Sequence, residues 1–423
     1  MTLMLDMLAA ATAAAPFDPE TATRAYLDTL QGAARAKSDA YFEGGYWLPL
    51  WGALVSVLIY GVMLHFGWAA AWSRFASRIT RREWLKPAIF AVPFILAGTV
   101  LSLPWALYTG YFREHQYGMS NQNLGQWFGE FGISLGVGLV INIILFVIIY
   151  AVIRGSPRRW WLWSSAAIGV LAAIMIMLAP IFIEPLFNKY TPMADGPIRS
   201  EILRIAHEQK IPANDVYVVD ASRQTKRISA NVAGLGPTVR IALNDNLLNR
   251  SNIQGIKAVM GHEMGHYKLN HIASLLFYVV LMAVVGLFIM WWAAPRVLAR
   301  HGAKWGVKDV ADPASAALLS IFLALLGVPA GILFNSVIRH HESQADAFGL
   351  EAAREPDGFA MTAMQLSEYR KIEPAAWEEM LFYDHPSGRT RVRMAMDWKA
   401  AHLAELPPEQ RGIIVMKPPA EPR

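Results

Sequence analysis

The chain has 423 residues, of which 54% are hydrophobic and only 17% are charged, and it contains no cysteine. A soluble globular domain usually carries about 25% charged residues, so this deficit favours a chain that spends much of its length in lipid. The missing cysteines exclude disulfides, a cysteine nucleophile and thiolate metal ligands. The net charge of +5 does not indicate a nucleic-acid partner, because the basic residues crowd beside apolar runs, as membrane flanks do.

The N-terminal segment, residues 1–46, lies outside the clear hydrophobic spans. It begins with MTLMLDMLAAATAAAP and continues as an amphipathic, polar stretch over residues 17–46. A signal peptide would have a basic start and an uninterrupted apolar run, whereas here no basic residue is present and Asp6 interrupts the run. An additional, degenerate membrane helix is an equally weak interpretation of these residues.

Six runs are long and apolar enough to cross a bilayer, which takes about 20 residues of helix. None has an acidic or basic residue in its middle, and tryptophan pairs near their ends are typical of membrane interfaces. The predicted spans are residues 47–69, 87–109, 131–153, 161–183, 272–294 and 315–338. They divide the chain into four membrane helices (47–183), an extramembrane domain (184–271), two more membrane helices (272–338) and a C-terminal segment (339–423).

The extramembrane domain is predicted to be α+β. DGPIRSEILRIAHEQK carries a helical stripe of apolar residues, and VYVVD (216–220) and TVRIAL (238–243) are short runs rich in β-branched residues. LNDNLL then leads into a helix that contains KAVMGHEMGHYKLNH (257–271). In the C-terminal segment, helices are predicted over residues 345–370 and 390–404.

The HEMGH pentapeptide indicates a metal site. His262 and His266 are four residues apart, so on an α-helix they lie on one face, and their imidazoles can meet one ion at about 2.0–2.1 Å. Glu263 points roughly 100° away, too far round to share the ion but able to reach a water bound to it. The H-E-x-x-H pattern thus supplies two metal ligands and a general base. The alternative is a polar turn at a membrane surface that binds no metal.

A catalytic zinc needs a third protein ligand, and FNSVIRHHESQADAF after the last span offers one. Asn335, Arg339, Glu342 and Asp346 lie on one stripe of a continuous helix. One carboxylate can complete the site and a second can fix the tautomer of a ligating histidine. The alternative is a solvated helix face.

Three further histidines are candidates for the third ligand. His340 and His341 lie about 100–200° around the helix from Glu342, and His271 follows His266 by five residues and so falls off the ligand face of a continuing helix. We expect none of the three to bind the metal.

These motifs resemble the M48 family of zinc metallopeptidases, and most closely its Ste24-type integral-membrane CAAX prenyl proteases. The subgroup is indicated by YFREHQYGMSNQNLG (111–125), APIFIEPLFNKYTPM (179–193) and HPSGRTR (385–391). The resemblance extends over residues 47–400. It implies a mainly α, multi-pass helical membrane protein with a small zincin-like α+β metallopeptidase domain, and with six clear spans or possibly seven, since related eukaryotic enzymes have seven.

The resemblance also implies a role for each matching residue. His262, His266 and Glu342 would bind one Zn²⁺ per chain, and Glu263 would be the catalytic base. His385 would stabilise the oxyanion, where the alternative is a turn residue before a proline. The remaining implied positions are Asp346, which would orient a ligating histidine, Arg391, which would hold the local structure or the substrate terminus, and Asn335 and Arg339, which would line the site.

One stretch departs from the family pattern. The family usually has Asn-Ala followed by aromatic residues where the substrate backbone pairs with the sheet, and here the stretch contains Asn231, Val232, Ala233 and Gly234. Pairing through the main chain needs no particular side chain, so we expect cleavage to be retained and the preference for a farnesylated peptide to differ.

The predicted function is therefore a zinc endopeptidase that cleaves membrane-associated or lipidated (CAAX prenyl-type) peptides in the bilayer. One alternative is a bacterial membrane-protein quality-control protease without prenyl specificity. A metal carrier using the same ligands would require carboxylates along the spans, and the sequence has none there. A non-catalytic scaffold would not depend on metal.

The predicted location is a bacterial inner membrane, on the basis of the cysteine-free, alanine-rich composition. Basic residues concentrate in loops 70–86, 154–160 and 295–314, which alternation puts on one side. The positive-inside rule makes that side cytoplasmic and would turn the zinc domain outward, whereas the resemblance implies a site that faces the cytosol. The sequence leaves both orientations open.

Overall fold

A computed structural model describes residues 17–234 and 239–417. The signal-peptide and extra-helix interpretations of residues 1–16 fall outside the described residues. Six helical stretches are long and apolar enough to cross a membrane, which confirms the six predicted spans: Gly32–His65, Lys86–Tyr117, Leu124–Gly155, Trp160–Leu186, His271–Trp305 and Pro313–Ala353. Within the described ranges, no seventh helix meets the same length and hydropathy.

The helices of the first half are mostly membrane spans. They are α1 (Pro19–Leu27), α2 (Gly32–Tyr46), α3 (Leu48–His65), α4 (Trp68–Ile79), α5 (Lys86–Leu107), α6 (Arg113–Tyr117), α7 (Leu124–Gly155) and α8 (Trp160–Leu178). Short π-helical segments, Tyr108–Phe112 and Ala179–Ile183, continue α5 and α8.

The helices of the second half carry the candidate site. They are α9 (Pro197–Glu208), α10 (Asp245–Arg250), α11 (Ile253–Lys268), α12 (His271–Trp305), α13 (Ala316–Ala353), α14 (Pro356–Leu366), α15 (Ala376–Phe382) and α16 (Gly388–Ala401).

A four-stranded sheet forms the small extramembrane domain with α9 and α11. Its strands are β1 (Tyr190–Pro192), β2 (Val216–Val219), β3 (Ala230–Ala233) and β4 (Arg240–Asn244), in the order β1-β2-β4-β3. β2 and β4 pair in parallel and the two outer pairs are antiparallel. The two predicted strands correspond to β2 and β4. The sequence analysis did not predict β1 and β3 as strands, because three or four residues are too few to show an alternating pattern.

The apolar face of this sheet packs on two helices. Ile241 and Leu243 of β4 are fully buried and share one cluster with Ile202 of α9 and with Met260 and Met264 of α11. Because these methionines lie on the face of α11 opposite His262 and His266, burial of the methionine face fixes the direction in which the two histidines point.

The loops and helix ends at each end of the membrane bundle form their own set of contacts. At the end that carries the basic loops, Ser73 of α4 donates to Asp312 at 2.6 Å, and the Tyr150 hydroxyl donates to the Pro313 carbonyl at 3.2 Å. At the opposite end, Ser120 forms a β-bridge with Thr225 of the extramembrane domain. The basic loops and the candidate metal domain therefore lie at opposite ends of the bundle.

Helix α1 packs against the C-terminal helices. Tyr26 of α1 is buried against α14 and α16, and its hydroxyl donates to the Ile414 carbonyl at 2.7 Å. Beside it, the fully buried Lys399 ammonium donates to Asp357 at 2.6 Å. Helix α1 and the C-terminal helices thus form one core at the same end of the bundle as the sheet.

The C-terminal helices differ in detail from the sequence prediction. The region predicted to be helical, residues 345–370, is divided between two helices: α13 ends at Ala353, Arg354 adopts a left-handed conformation (φ 53°), and Pro356 begins α14. Pro356 has no backbone N–H, so it suits the first turn of a helix, where that donor would lack an intrahelical partner, and it disfavours a helical conformation at Glu355 before it. The helix predicted at 390–404 corresponds to α16, and α15 was not predicted.

Candidate metal centre and active site

Close packing of α11 on α13 positions the candidate ligands. A Cβ added at Gly261 would lie 2.9 Å from the Gly349 carbonyl oxygen, and one at Gly265 would lie 3.1 Å from the Cα of Ala345. Only residues without side chains permit this approach. The sequence signal for this contact is a pair of small residues four apart in each segment, Gly261 and Gly265 in α11 and Ala345 and Gly349 in α13.

Three side chains meet across this contact. The Nε2 atoms of His262 and His266 are 3.1 Å apart, and the two carboxylate oxygens of Glu342 lie 3.1 and 3.4 Å from them. These are the three residues of the described chain that can hold one metal ion together. Ligands bound tetrahedrally at about 2.0–2.1 Å are about 3.3 Å apart, so the separations match those around a zinc ion.

A buried carboxylate sets the tautomer of His262. Asp346 is fully buried, and its Oδ1 lies 2.7 Å from His262 Nδ1. Arg391 of α16 donates to both oxygens of Asp346, at 2.9 and 2.5 Å, which keeps the carboxylate ionised and fixed. His262 Nδ1 therefore donates to Asp346, and Nε2 is the ring atom that faces Glu342 and His266 and is available to a metal.

This arrangement fits a bound cation. Glu342 Oε2 is buried and accepts no well-aligned hydrogen bond from the described residues, although Nε2 of His262 and Nε2 of His385 each lie 3.1 Å away, and buried oxygens of this kind need a partner. Burial alone would lower the pKa of His262, but the hydrogen bonds and charges of Asp346 and Glu342 raise it to about 10. The same negative charge attracts a divalent metal, and two imidazoles with one carboxylate form a donor set that suits Zn²⁺.

Glu263 lies beside the ligands, in a cavity of about 190 Å³. His262, His385 and Arg391 also line this cavity, and Ser229 and Ala230 line its opposite wall at the start of β3. Burial raises the pKa of Glu263 above its ordinary 4.5. No hydrogen bond to its carboxylate comes from residues 17–234 or 239–417, so the group is free to accept a proton inside the cavity.

His385 approaches the centre from the link between α15 and α16. Its Nε2 lies 3.1 Å from Glu342 Oε2, and its Nδ1 lies 2.9 Å from Asp384. Arg370 lies 3.3 Å from the same Nδ1. Burial, with the positive charge of Arg370, lowers the pKa of His385, and the side chain lines the cavity beside Glu263.

A second cavity of about 750 Å³ adjoins the first and extends into the membrane bundle. The two share Ile228, Ser229, Tyr369 and Arg370 among their lining residues. The far part of the larger cavity is lined by α3 and α13, where Leu50, Gly327, Val328, Gly331 and Ile332 make its wall apolar.

Three residues expected at the site lie at its margins. Asn335 lines the larger cavity. Arg339 donates to the carbonyls of Glu379 and Tyr383, at 2.8 and 2.5 Å, and so fastens α15 to α13 without lining either cavity. Asn231 lies on the edge strand β3, opposite Ala242 of β4, and its side-chain oxygen is buried.

One histidine set aside in the sequence analysis touches the centre. His271 does not join the ligand group, but its Nδ1 lies 2.9 Å from Nδ1 of His266. The expectation that it points away assumed a continuous helix, whereas α11 ends at Lys268 and Asn270 turns the chain in a left-handed conformation (φ 56°).

Two family models match successive parts of the chain. The model of peptidase family M48 matches residues 192–399, and the model described as "CAAX prenyl protease N-terminal, five membrane helices" matches residues 21–189. The described part of the N-terminal match holds four candidate spans, one fewer than that description.

Relatives and a solved structure agree with these matches. The uncharacterized metalloprotease YhfN of Bacillus subtilis is 27% identical over 73% of this chain and 72% of its own. The CAAX prenyl protease 1 homolog of Arabidopsis thaliana is 31% identical over 51% of this chain and 53% of its own. The CAAX prenyl protease 1 homolog of Homo sapiens is 23% identical over 69% of this chain and 70% of its own. The crystal structure of S. mikatae Ste24p superposes with a TM-score of 0.69, 20% identity, and coverage of 90% of this chain and 94% of that one.

The fold and the His-His-Glu cluster thus coincide with the regions matched by the two family models. The chain belongs to peptidase family M48, as a multi-pass membrane metallopeptidase of the Ste24 type.

Proposed function

We propose that the protein is a zinc endopeptidase that cleaves membrane-associated polypeptides, with His262, His266 and Glu342 as metal ligands and Glu263 as general base. The observation that carries the proposal is the convergence of the three ligands from two helices beside a free carboxylate in a cavity. A structural metal site would be closed by a fourth protein ligand, whereas here the remaining side opens to the cavity.

Each residue of the site has its own role in the proposed catalysis. A bound Zn²⁺ supplies Lewis acidity and lowers the pKa of water to near 7. Glu263 takes the proton from the attacking water and delivers it to the leaving amine. His385 is placed to stabilise the oxygen on which negative charge develops, through Nε2 in the form that carries a proton there, and one such hydrogen-bond donor is worth about 3–4 kcal/mol. Asp346 and Arg391 keep His262 in its ligating tautomer.

The neighbouring structure supports an extended peptide substrate. β3 is an edge strand, and residues 228–230 at its start line the catalytic cavity. A peptide can add to such an edge through main-chain hydrogen bonds. Asn231 lies within this strand, so its carboxamide is close to where the added peptide would run.

The second cavity, of about 750 Å³, favours a substrate that carries an apolar group. Its wall from α3 and α13 is apolar and lies within two candidate membrane spans. A lipidated peptide of the CAAX prenyl type fits this arrangement, and several relatives are CAAX prenyl protease homologs. An unmodified membrane-anchored segment, as in quality control, is the alternative occupant, and the absence of aromatic residues in β3 favours it.

One peptide in two forms tests the proposal. Purified protein should cleave a farnesylated peptide and its unmodified form in a zinc-dependent manner, and the apolar cavity predicts a lower KM for the farnesylated form. Equal KM values would leave the endopeptidase proposal standing and support the quality-control alternative. Cleavage that persists after complete zinc removal would contradict the proposed mechanism.

For location, we propose a bacterial inner membrane, with the site at the end opposite the basic loops. Because the chain has no cysteine, single substitutions at the exposed Ser77 and Ala194 report the two ends directly. The positive-inside rule predicts that an impermeant maleimide labels Ala194→Cys and not Ser77→Cys in intact cells. The reverse pattern would place the metal site on the cytosolic side.

A further inference from the structure

The second candidate ligand, His266, is held by a hydrogen-bonded chain that the sequence did not predict. His271, the first residue of α12 and 3% exposed, places its Nδ1 2.9 Å from Nδ1 of His266. On its other side, His271 Nε2 lies 3.2 Å from the side-chain oxygen of Gln344. The chain therefore joins α11, α12 and α13.

The donors and acceptors of this chain determine where each proton lies. The side-chain oxygen of Gln344 only accepts, so the proton of His271 is on Nε2, and its Nδ1 has a lone pair. That lone pair accepts from His266 Nδ1–H. His266 Nε2 is then left unprotonated, facing His262 Nε2 at 3.1 Å. The opposite order of donors would put a proton on Nε2 of His266, where a metal would bind.

The ring of His271 is itself held in place. It stacks on His341 with ring centres 4.5 Å apart and planes inclined by 20°. His341 in turn is hydrogen-bonded to Ser274, one turn further along α12, at 3.0 Å. The left-handed turn at Asn270 aims the start of α12 at His266.

We propose that His271, supported by Gln344, is a positioning residue that holds His266 in its metal-binding tautomer. Asp346 has the same relation to His262, but through an anion that Arg391 neutralises. His266 is oriented by neutral groups, so the site gains no additional negative charge. Because His271 and Gln344 belong to two membrane spans, the proposal also ties metal affinity to the packing of those spans. It rests on the proposed metal site.

Paired variants separate hydrogen bonding from packing. His271→Phe keeps a ring but removes the acceptor, whereas His271→Asn keeps an acceptor close to the position of Nδ1. Gln344→Met removes the acceptor for Nε2–H, and Gln344→Glu keeps it. His340→Phe, at an exposed position on α13, is the control.

The readouts are zinc affinity, measured by competition with a chelator, the visible absorption of the Co²⁺-loaded protein, and thermal unfolding of the metal-free protein. We expect His271→Phe and Gln344→Met to lose about 10- to 100-fold in zinc affinity and to shift the Co²⁺ spectrum. His271→Asn and Gln344→Glu should retain most of the affinity, and His340→Phe all of it. The metal-free unfolding temperatures of His271→Phe and His271→Asn should agree.

Wild-type zinc affinity and an unchanged Co²⁺ spectrum in His271→Phe would overturn the inference. Equal loss in His271→Phe and His271→Asn would also overturn it, because it would show a packing role. If wild-type protein binds no zinc at all, the proposed function fails first, so the two failures are distinguishable.

Discussion

Substituting Gly349 by alanine should disturb the metal centre without touching any ligand. Gly349 lies on α13 between Asp346 and the end of the helix, where it contacts the backbone of α11. An added Cβ would lie 2.7 Å from the amide nitrogen of His262 and 3.0 Å from its Cα. Both atoms are backbone, so no side-chain rotation can relieve the clash.

The magnitude follows from that distance. Ordinary contact begins near 3.4 Å, so α11 and α13 must separate by about 0.7 Å. Overpacking of this kind costs about 1–3 kcal/mol of stability. The separation moves Glu342 and Asp346, which lie on α13, away from the imidazoles of α11. Since a displacement of about 1 Å can cost about 10²-fold in rate, we expect Gly349→Ala to lower kcat/KM by at least about tenfold and to weaken zinc binding.

The assay combines zinc titration, thermal unfolding and peptide cleavage in detergent. The control is Gly286→Ala on α12, where an added Cβ meets nothing within 4 Å. It should bind zinc and cleave peptide as the wild type does. Wild-type zinc affinity and kcat/KM in Gly349→Ala would refute the argument that this helix contact sets the ligand geometry.

Three further outcomes are expected. Arg391→Met leaves the buried Asp346 carboxylate without its cation, so unfolding should show a loss of about 3–5 kcal/mol, and Asp346→Asn in the same chain should restore part of it. Lys399→Met should likewise cost about 3–5 kcal/mol by isolating Asp357, but zinc affinity should be unchanged because this pair lies away from the ligands. Because burial raises the pKa of Glu263, the metal-free protein should take up a proton at this residue as pH decreases through a value above 4.5, which the infrared absorption of carboxyl groups in wild type and Glu263→Gln can measure. Protonation of Glu263 only at or below pH 4.5 would contradict the last prediction.

Much of the architecture could be predicted from local sequence. Hydropathy located all six spans because lipid imposes an uninterrupted apolar length. The spacing of His262 and His266 placed them on one face because α11 is a regular helix through both residues. Glu342 and Asp346 lie on one face of a continuous helix, as predicted, because α13 continues from the membrane to Ala353.

The contacts that depend on a change of direction could not be predicted in this way. His271 was assigned by continuing the helix of HEMGH, and a left-handed residue at Asn270 invalidates that geometry. The position of Arg339 depends on α15, a seven-residue helix that no periodic pattern revealed. β3 is short and takes its conformation from pairing with β4, so its own residues carry little signal.

In the proposed mechanism three side chains hold one catalytic metal ion and Glu263 moves the proton. Zinc content and peptide cleavage, measured on one preparation of Glu263→Gln, separate these two roles. We expect about one zinc per chain, as in the wild type, with cleavage reduced by about 10²–10⁴-fold, the usual contribution of a general base. Cleavage at the wild-type rate would contradict it, because a residue outside this cluster would then have to be the base.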